Sequence, residues 1–313
     1  MLFLAADIGG TRSRLLLGRW KTDNSWQTVR QAEFPSRDYA SASILLASFL
    51  QPDEQPAVAC LALAGPVANN RCKLTNLPWD VDGETLSQQL GLHRVLLLND
   101  FVAQAHGLSV LKTGQRIVLQ EGQPQPDATR ALIGAGTGLG MAVVHQNSVY
   151  PSEGGHADFA ATDERQAALC DWMREMYGRV SLESVLSGKG IERIHVFFGG
   201  APAGAAYISN AAARREPQAM FTLSLFAQIY ASVAGNLALT HMAFGGVYLG
   251  GGIAPRILPF LRDPKTVEAF RNKPPMRALL EKIPLYVVMD DYLGLRGAAE
   301  VAARLTRQED YTL

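Results

Sequence analysis

The sequence predicts an α/β protein made of two related halves, and three observations carry that prediction. At 313 residues, 48% of them hydrophobic and 19% charged, the chain exceeds what one core usually supports and is too apolar for long disorder. One device occurs twice, an apolar run, a glycine turn and a second apolar run, first over Leu2–Trp20 and again over Ala131–Val144. Between the copies, Leu96–Leu98 runs straight into Asn99 and Asp100, after which helical spacing begins at Phe101. That places a polar pair where a strand ends and a helix starts, the position at which open α/β sheets gather ligands.

Taken in order, Leu2–Ala6 is an apolar run that ends in Asp7-Ile8-Gly9-Gly10-Thr11, and Leu15–Trp20 resumes the pattern. The spacing predicts strand, glycine turn, strand, with a third strand inside Trp26–Phe34. Glycines let backbone N–H groups turn towards an anion, so Gly9, Gly10 and Thr11 can hold a phosphate; read alone, they form a simple hairpin. Asp7 at the mouth of the turn can bind Mg²⁺, directly or through water. Tyr39–Leu50 has helical spacing, and Ala57–Ala64 is an apolar strand closed by Gly65-Pro66. Lys73–Trp79 reads as an irregular or hairpin segment, and Asp82 caps a helix through Leu90. Arg94–Leu98 then completes a β-β-β-α-β-α-β-α order, that of a mixed sheet flanked by helices. Asp100 can accept the proton of a substrate hydroxyl while Asn99 holds that hydroxyl; taken alone, the pair reads more simply as a helix N-cap.

A polar stretch, Glu121–Arg130, precedes the second copy, in which Ala131–Ile133 enters Gly134-Ala135-Gly136-Thr137-Gly138-Leu139-Gly140 and Met141–Val144 follows. The echo suggests two halves facing one another across a cleft, each lending a phosphate turn. It is not a dinucleotide fingerprint, because Leu139 or Met141 stands where G-x-G-x-x-G needs its third glycine, and no P-loop pattern occurs. Next come Glu153-Gly154-Gly155-His156-Ala157-Asp158 and helices over Asp163–Tyr177, Ser181–Leu186 and Gly190–Phe197, with Glu183 on the first turn of the second. Gly199–Arg215 reads as a small-residue surface loop and Pro217–Ala243 as a long apolar helix packed deep in the second domain. Val247–Leu249 is a strand entering a third glycine turn, Gly250-Gly251-Gly252, before a helix over Ala254–Leu261. A strand over Leu285–Met289 and an amphipathic helix over Leu295–Leu305 complete the pattern.

Lys+Arg and Asp+Glu both number 29 and form no long block, which argues against nucleic acid or an anionic membrane as partner. Cys60, Cys72 and Cys170 lack metal-ligand spacing and are odd in number, so they predict reduced thiols rather than a disulfide framework or a zinc site. No basic leader precedes the first apolar run, and polar residues interrupt Phe197–Ala213 and Ala234–Pro255. The expectation is a soluble cytoplasmic protein with no membrane span.

Six ordered stretches, Asp7–Thr11, Leu98–Phe101, Gly134–Gly140, Glu153–Phe159, Val180–Gly188 and Gly245–Pro255, make the chain resemble the bacterial glucokinase family of actin-like ATPase sugar kinases over nearly its whole length. The resemblance implies two ribonuclease-H-like α/β domains joined by a hinge, with glucose and ATP in the interdomain cleft. It also implies a C-terminal helix that returns to the first domain, giving bounds of 1–109 with 293–313, and 110–292. By this likeness Asp100 is the general base, and Asn99, Asp100, Glu153, His156 and Glu183 hold the sugar. Gly9, Gly10 and Thr11 match one phosphate turn and Gly136, Thr137 and Gly138 the other, while Gly251 and Gly252 fall in the adenosine region. A homodimer is the family's usual state. One departure stands out: after Gly10-Thr11 the family commonly has Asn, and here Arg12 replaces it, either adding a cation at the phosphate turn or pointing to solvent.

The expected activity is ATP-dependent phosphorylation of D-glucose at its 6-hydroxyl, with Mg²⁺. A sugar hydroxyl is a weak nucleophile, so a carboxylate must take its proton, while the loose transition state leaves most acceleration to alignment and charge stabilisation. The alternatives are a kinase of the same fold for another hexose or an amino sugar, and a non-catalytic sugar-sensing protein. The zinc-binding cysteine cluster of related repressors and kinases is absent, and Asp7 lies almost at the N-terminus, without a preceding helix-turn-helix.

Overall fold

Residues 1–23 and 25–307 are described by a computed structural model. β1 (Leu2–Ile8), β2 (Arg12–Trp20) and β3 (Trp26–Pro35) form an antiparallel meander, after which α1 (Ala42–Phe49) leads to β4 (Val58–Leu63). A small separate sheet of β5 (Val67–Ala68), β6 (Arg71–Lys73) and β7 (Asp80–Asp82) follows, then α2 (Gly83–Leu90), β8 (Arg94–Asn99) and α3 (Asp100–Gly107). Five of these strands make one sheet in the order β3-β2-β1-β4-β8, with β1, β4 and β8 parallel. Burial explains the order: β4 is covered along its whole length, as the unbroken apolar run Val58–Leu63 requires, whereas β3 alternates and lies at the edge. Asp82 caps α2 as expected, its carboxylate accepting the Thr85 N–H at 2.7 Å. Lys73–Trp79, expected as an irregular or hairpin piece, is chiefly the loop joining β6 to β7.

The second sheet repeats the first. β9 (Arg116–Gln120) precedes β10 (Arg130–Ala135), β11 (Leu139–His145) and β12 (Ser148–Ser152), followed by α4 (Glu164–Tyr177), α5 (Leu182–Val185), α6 (Gly188–Phe197), α7 (Ala205–Ala213) and α8 (Pro217–His241). β13 (Gly246–Gly250), α9 (Leu258–Leu261), α10 (Pro264–Arg271), α11 (Arg277–Leu280) and β14 (Leu285–Val288) complete it. The order is β12-β11-β10-β13-β14-β9, a meander extended by two parallel strands, with β9 added antiparallel at the edge. The repeated glycine device is therefore a repeated topology: Gly9–Thr11 joins β1 to β2, and Gly136–Gly138 joins β10 to β11.

Two expectations are corrected. Gly199–Arg215 is not simply a loop, since it carries α7, which buries Ile208, Ala211 and Ala212 at helical spacing; alanine-rich chain favours helix even where few large side chains mark a face. Ala254–Leu261 is not one helix but a 3-10 turn, Ala254–Ile257, running into α9, with Pro255 and Pro259 at the starts of the two pieces. α8 is long and apolar enough to cross a membrane, yet most of its side chains are buried in the core of its own unit. Cys60, Cys72 and Cys170 are free and buried.

The chain divides into two compact units, Thr113–Met289 and, separately, Met1–Lys112 with the chain from Asp290 onward. The resemblance implied breaks at 109/110 and 292/293; residues 308–313 of the returning segment lie outside the described residues. α12 (Leu293–Leu305) supplies that return, packing Leu295, Ala298, Ala299 and Ala302 among β1, β4 and α3. The approach is backbone-close, because a Cβ on Gly297 would run into the Ala103 carbonyl of α3.

His106 of α3 is caught in this packing at 4% exposure, and burial, seconded by Arg304, lowers its pKa to about 4. The unfolded imidazole titrates near 6.5, so acid favours unfolding between those values. Roughly 2 kcal/mol of stability should be lost between pH 7 and pH 5 through this group, and His106→Gln should flatten that slope in urea titrations.

Candidate active site

In the first unit the strand ends assemble the candidate groups. Ile8, Leu63 and Asn99 lie in one register row, so the chain beyond each emerges side by side: Gly9–Thr11 after β1, Ala64–Gly65 after β4, and Asp100 after β8. The glycine turn is closed by Gly9 N–H to the Arg12 carbonyl at 3.0 Å. Beneath it the buried Ser36 donates from its hydroxyl to the Gly9 carbonyl at 2.7 Å and from its N–H to the Thr11 carbonyl at 3.0 Å. Thr11 stays exposed. Asn99 is indeed the N-cap of α3, its Oδ1 accepting from Phe101 N–H at 2.9 Å, and its Nδ2 donates to the Gly65 carbonyl at 3.1 Å. The same side chain also bears on the Asp100 carboxyl, pulling its pKa down against the larger effect of burial.

Asp100 Oδ1 also accepts from the Phe101 N–H, at 2.8 Å, while burial holds the Asp100 carboxyl above the usual carboxylate range. Asp7, at the end of β1, is pushed up to about 6, first by burial and then by the charge of Asp100, against the pull of Arg14. Arg14 pairs across the strands with Asp7, meets Glu33 at 3.1 Å, donates to the Asp291 carbonyl and stacks on the Tyr292 ring. Among the described residues no hydrogen bond reaches the Asp7 carboxylate. A hard, partly buried oxygen donor left without a partner suits Mg²⁺, which keeps most of its waters and takes one or two protein carboxylates. Asp7 is thus the residue that fits the ion.

In the second unit three pieces converge on Leu139. The Leu139 N–H donates to Glu183 Oε2 at 2.9 Å, and a Cβ on Gly155 would press on the Leu139 carbonyl. A Cβ on Gly138 would fall 2.5 Å from Glu183 Oε2, so only glycine lets that carboxylate lie against the turn. Glu183 is half-buried, with one oxygen committed to the backbone. The 3-10 turn Gly154–His156 sits beside α5, tied by Leu182 N–H to the Ala157 carbonyl at 2.8 Å. Glu153 and His156 project from it, both exposed, with His156 Nε2 3.8 Å from Glu153 Oε2. Gly136 N–H donates to the Gly138 carbonyl at 2.8 Å, and its own carbonyl accepts from Gly188 N–H at 2.9 Å. Thr137 is exposed at the tip. The Gly250-Gly251-Gly252 turn follows β13, and Ile253 N–H reaches back to the Ala135 carbonyl at 3.2 Å.

A family model described as Glucokinase matches residues 4–305. The chain belongs to the glucokinase family. A relative named Glucokinase from Nostoc punctiforme is 38% identical over 97% of this chain and 99% of its own length. Another from Rhizobium leguminosarum bv. trifolii is 37% identical over 96% and 91%. Among solved structures, glucokinase from an Antarctic psychrotroph aligns with a TM-score of 0.90 at 33% identity, covering 97% of this chain and 99% of that one. A ROK family glucokinase from Streptomyces griseus in complex with glucose and AMPPNP shares the fold at 19% identity and a TM-score of 0.63, covering 99% and 100%. The family's two-domain actin-like ATPase fold is accordingly the fold of this chain.

Two supports of this glucokinase-family site escaped the sequence reading. Ser36 carries the first turn, and Tyr230, fully buried on α8, carries the second: its hydroxyl donates to the Ile133 carbonyl at 2.8 Å and accepts from Ala135 N–H at 3.2 Å. Both are distant in sequence from the turns they hold, so no local pattern announces them. Arg12, the family departure, pairs with Glu33 at 3.3 Å and is 67% exposed. Arg12→Ala should therefore leave kcat within about threefold of wild type, the scale of an exposed pair. A fall of about tenfold or more in a coupled assay would return the guanidinium to the phosphate turn.

Proposed function

We propose that this chain transfers the γ-phosphoryl group of ATP to the 6-hydroxyl of D-glucose, releasing glucose 6-phosphate and ADP. The observation that carries the reading is the first unit's corner, where Asp100 follows β8 in the same register row from which Gly9–Thr11 follows β1. Asp100 takes the hydroxyl proton as the new oxygen–phosphorus bond forms and the bond to the ADP oxygen breaks. Its raised pKa favours that acceptance without making the carboxylate a nucleophile. Asn99 orients the same hydroxyl with its side-chain amide, beside the Asp100 carboxyl. Glu153, His156 and Glu183 accept from and donate to the remaining sugar hydroxyls, a pattern that rejects analogues lacking one. The N–H groups of Gly9–Thr11 and Gly136–Gly138 align the phosphates, and Gly251 and Gly252 pass beside the adenosine. Asp7 holds Mg²⁺, which when bound neutralises charge on the phosphate oxygens.

A reducing cytoplasm suits the three buried free thiols, and we assign a homodimer on the family likeness. A sugar panel read by coupled ADP release tests the function. Glucose should give the highest kcat/KM, by at least about tenfold over mannose, fructose and N-acetylated hexosamines. Preference for an amino sugar would move the substrate to the second reading, and binding without ADP release from any sugar would make the chain a sensor.

A further inference from the structure

The loop between β6 and β7 presents an amide, that of Asn76, which matches the family pattern along with Trp79 but to which the reading above gives no role. Leu74, Leu77 and Trp79 are buried in the same core as Ile8 and Leu63, and they staple the loop to the sheet. Leu74 N–H bonds the Trp79 carbonyl at 3.0 Å and Thr75 N–H bonds the Ala64 carbonyl at 3.2 Å. These anchors hold Thr75 and Asn76 out in the open. Asn76 is seated on the first phosphate turn: a Cβ on Gly10 would fall 2.5 Å from Asn76 Cβ, 3.4 Å from its Cγ and 3.6 Å from its Nδ2. Gly10 must be glycine because the Asn76 side chain occupies that space. No hydrogen bond engages the Asn76 amide among the described residues. The loop also grips the strand end beside Asp100, since Thr75 holds Ala64 while Asn99 holds Gly65.

We propose that Asn76 is a catalytic residue whose side-chain amide donates to the phosphoryl group being transferred, over the Gly10 turn. The inference rests on the reading of this corner as a phosphoryl-transfer site. A neutral donor beside the turn, on a loop anchored at Leu74 and Thr75, can meet the charge that builds on the phosphoryl oxygens. Packing alone does not ask for an amide here, because the contact with Gly10 is made chiefly by Cβ.

Asn76→Ala keeps the Cβ on Gly10 and deletes only the amide, which makes it the informative variant. It should lower kcat at least about tenfold, with the KM for glucose and the thermal midpoint little changed. Asn76→Asp, of the same shape but of like charge to the phosphate, should fall further, by about 10²-fold, and should weaken AMPPNP binding in calorimetry. Wild-type kcat in the alanine variant, or unweakened AMPPNP binding in the aspartate variant, would overturn the proposal. So would a loss of glucose binding and thermal midpoint in step with kcat, which would make Asn76 a packing residue. Should the wild type bind nucleotide yet fail to turn over, the kinase reading falls, while the calorimetric comparison still decides whether Asn76 faces the phosphate.

Discussion

Asp100→Asn should leave glucose binding within a few-fold of wild type while kcat falls by at least about 10²-fold. The substitution preserves the shape at the start of α3 and removes only the group that can accept the hydroxyl proton. Asn99 and the Phe101 N–H stay in place, because their bonds do not depend on the Asp100 charge alone. Calorimetry for sugar binding and a coupled assay for turnover separate the two effects, and near-normal turnover would remove the mechanism. The pH dependence has a definite sign. A general base works only when ionised, and burial raises the Asp100 pKa, so kcat/KM should fall on the acid side at a higher pH than an ordinary Asp would give.

Asp7→Asn should move activity and stability in opposite directions. Wild-type Asp7 titrates near 6 in the folded chain against 3.8 for the free residue. Between those values the folded state holds a proton that the unfolded state has lost, so stability falls as pH rises through the window and the full cost stands above pH 6. Two units correspond to about 3 kcal/mol, and Asn carries no such cost. The variant should therefore be more stable than wild type at pH 7.5 by roughly 3 kcal/mol, and converge on it below pH 3.8, as read from urea midpoints. Turnover should drop by at least about 10²-fold at saturating Mg²⁺, with Mn²⁺ binding weakened in calorimetry. A variant less stable at pH 7.5 would show that the Asp7 charge supports the fold instead of straining it.

Much of the fold was legible because it is written in local pattern. The unbroken runs Val58–Leu63 and Val95–Leu98 read as strands covered on both faces, and the two glycine turns marked the same hairpin in each half. α7 was missed because alanines leave little contrast between its faces. β9 and β12 were missed as short or exposed edge strands whose partners lie far along the chain or pair only at the sheet's rim. The candidate positions Asn99 and Glu183 were legible as residues at a strand end and a helix start. That Asn99 uses its Oδ1 on the helix and that Glu183 spends one oxygen on Leu139 was not.

By itself the sequence determined the class of the fold, its internal repetition and the places where polar groups stop apolar strands, since each follows from residues adjacent in the chain. Tertiary structure alone decided that Asn76 rests on Gly10, that Ser36 and Tyr230 carry the two turns, and that Arg12 leans to Glu33. It also set the pKa of Asp7, through burial and the nearness of Asp100. Distances and desolvation belong to residues brought together by folding, and no spacing along the chain encodes them.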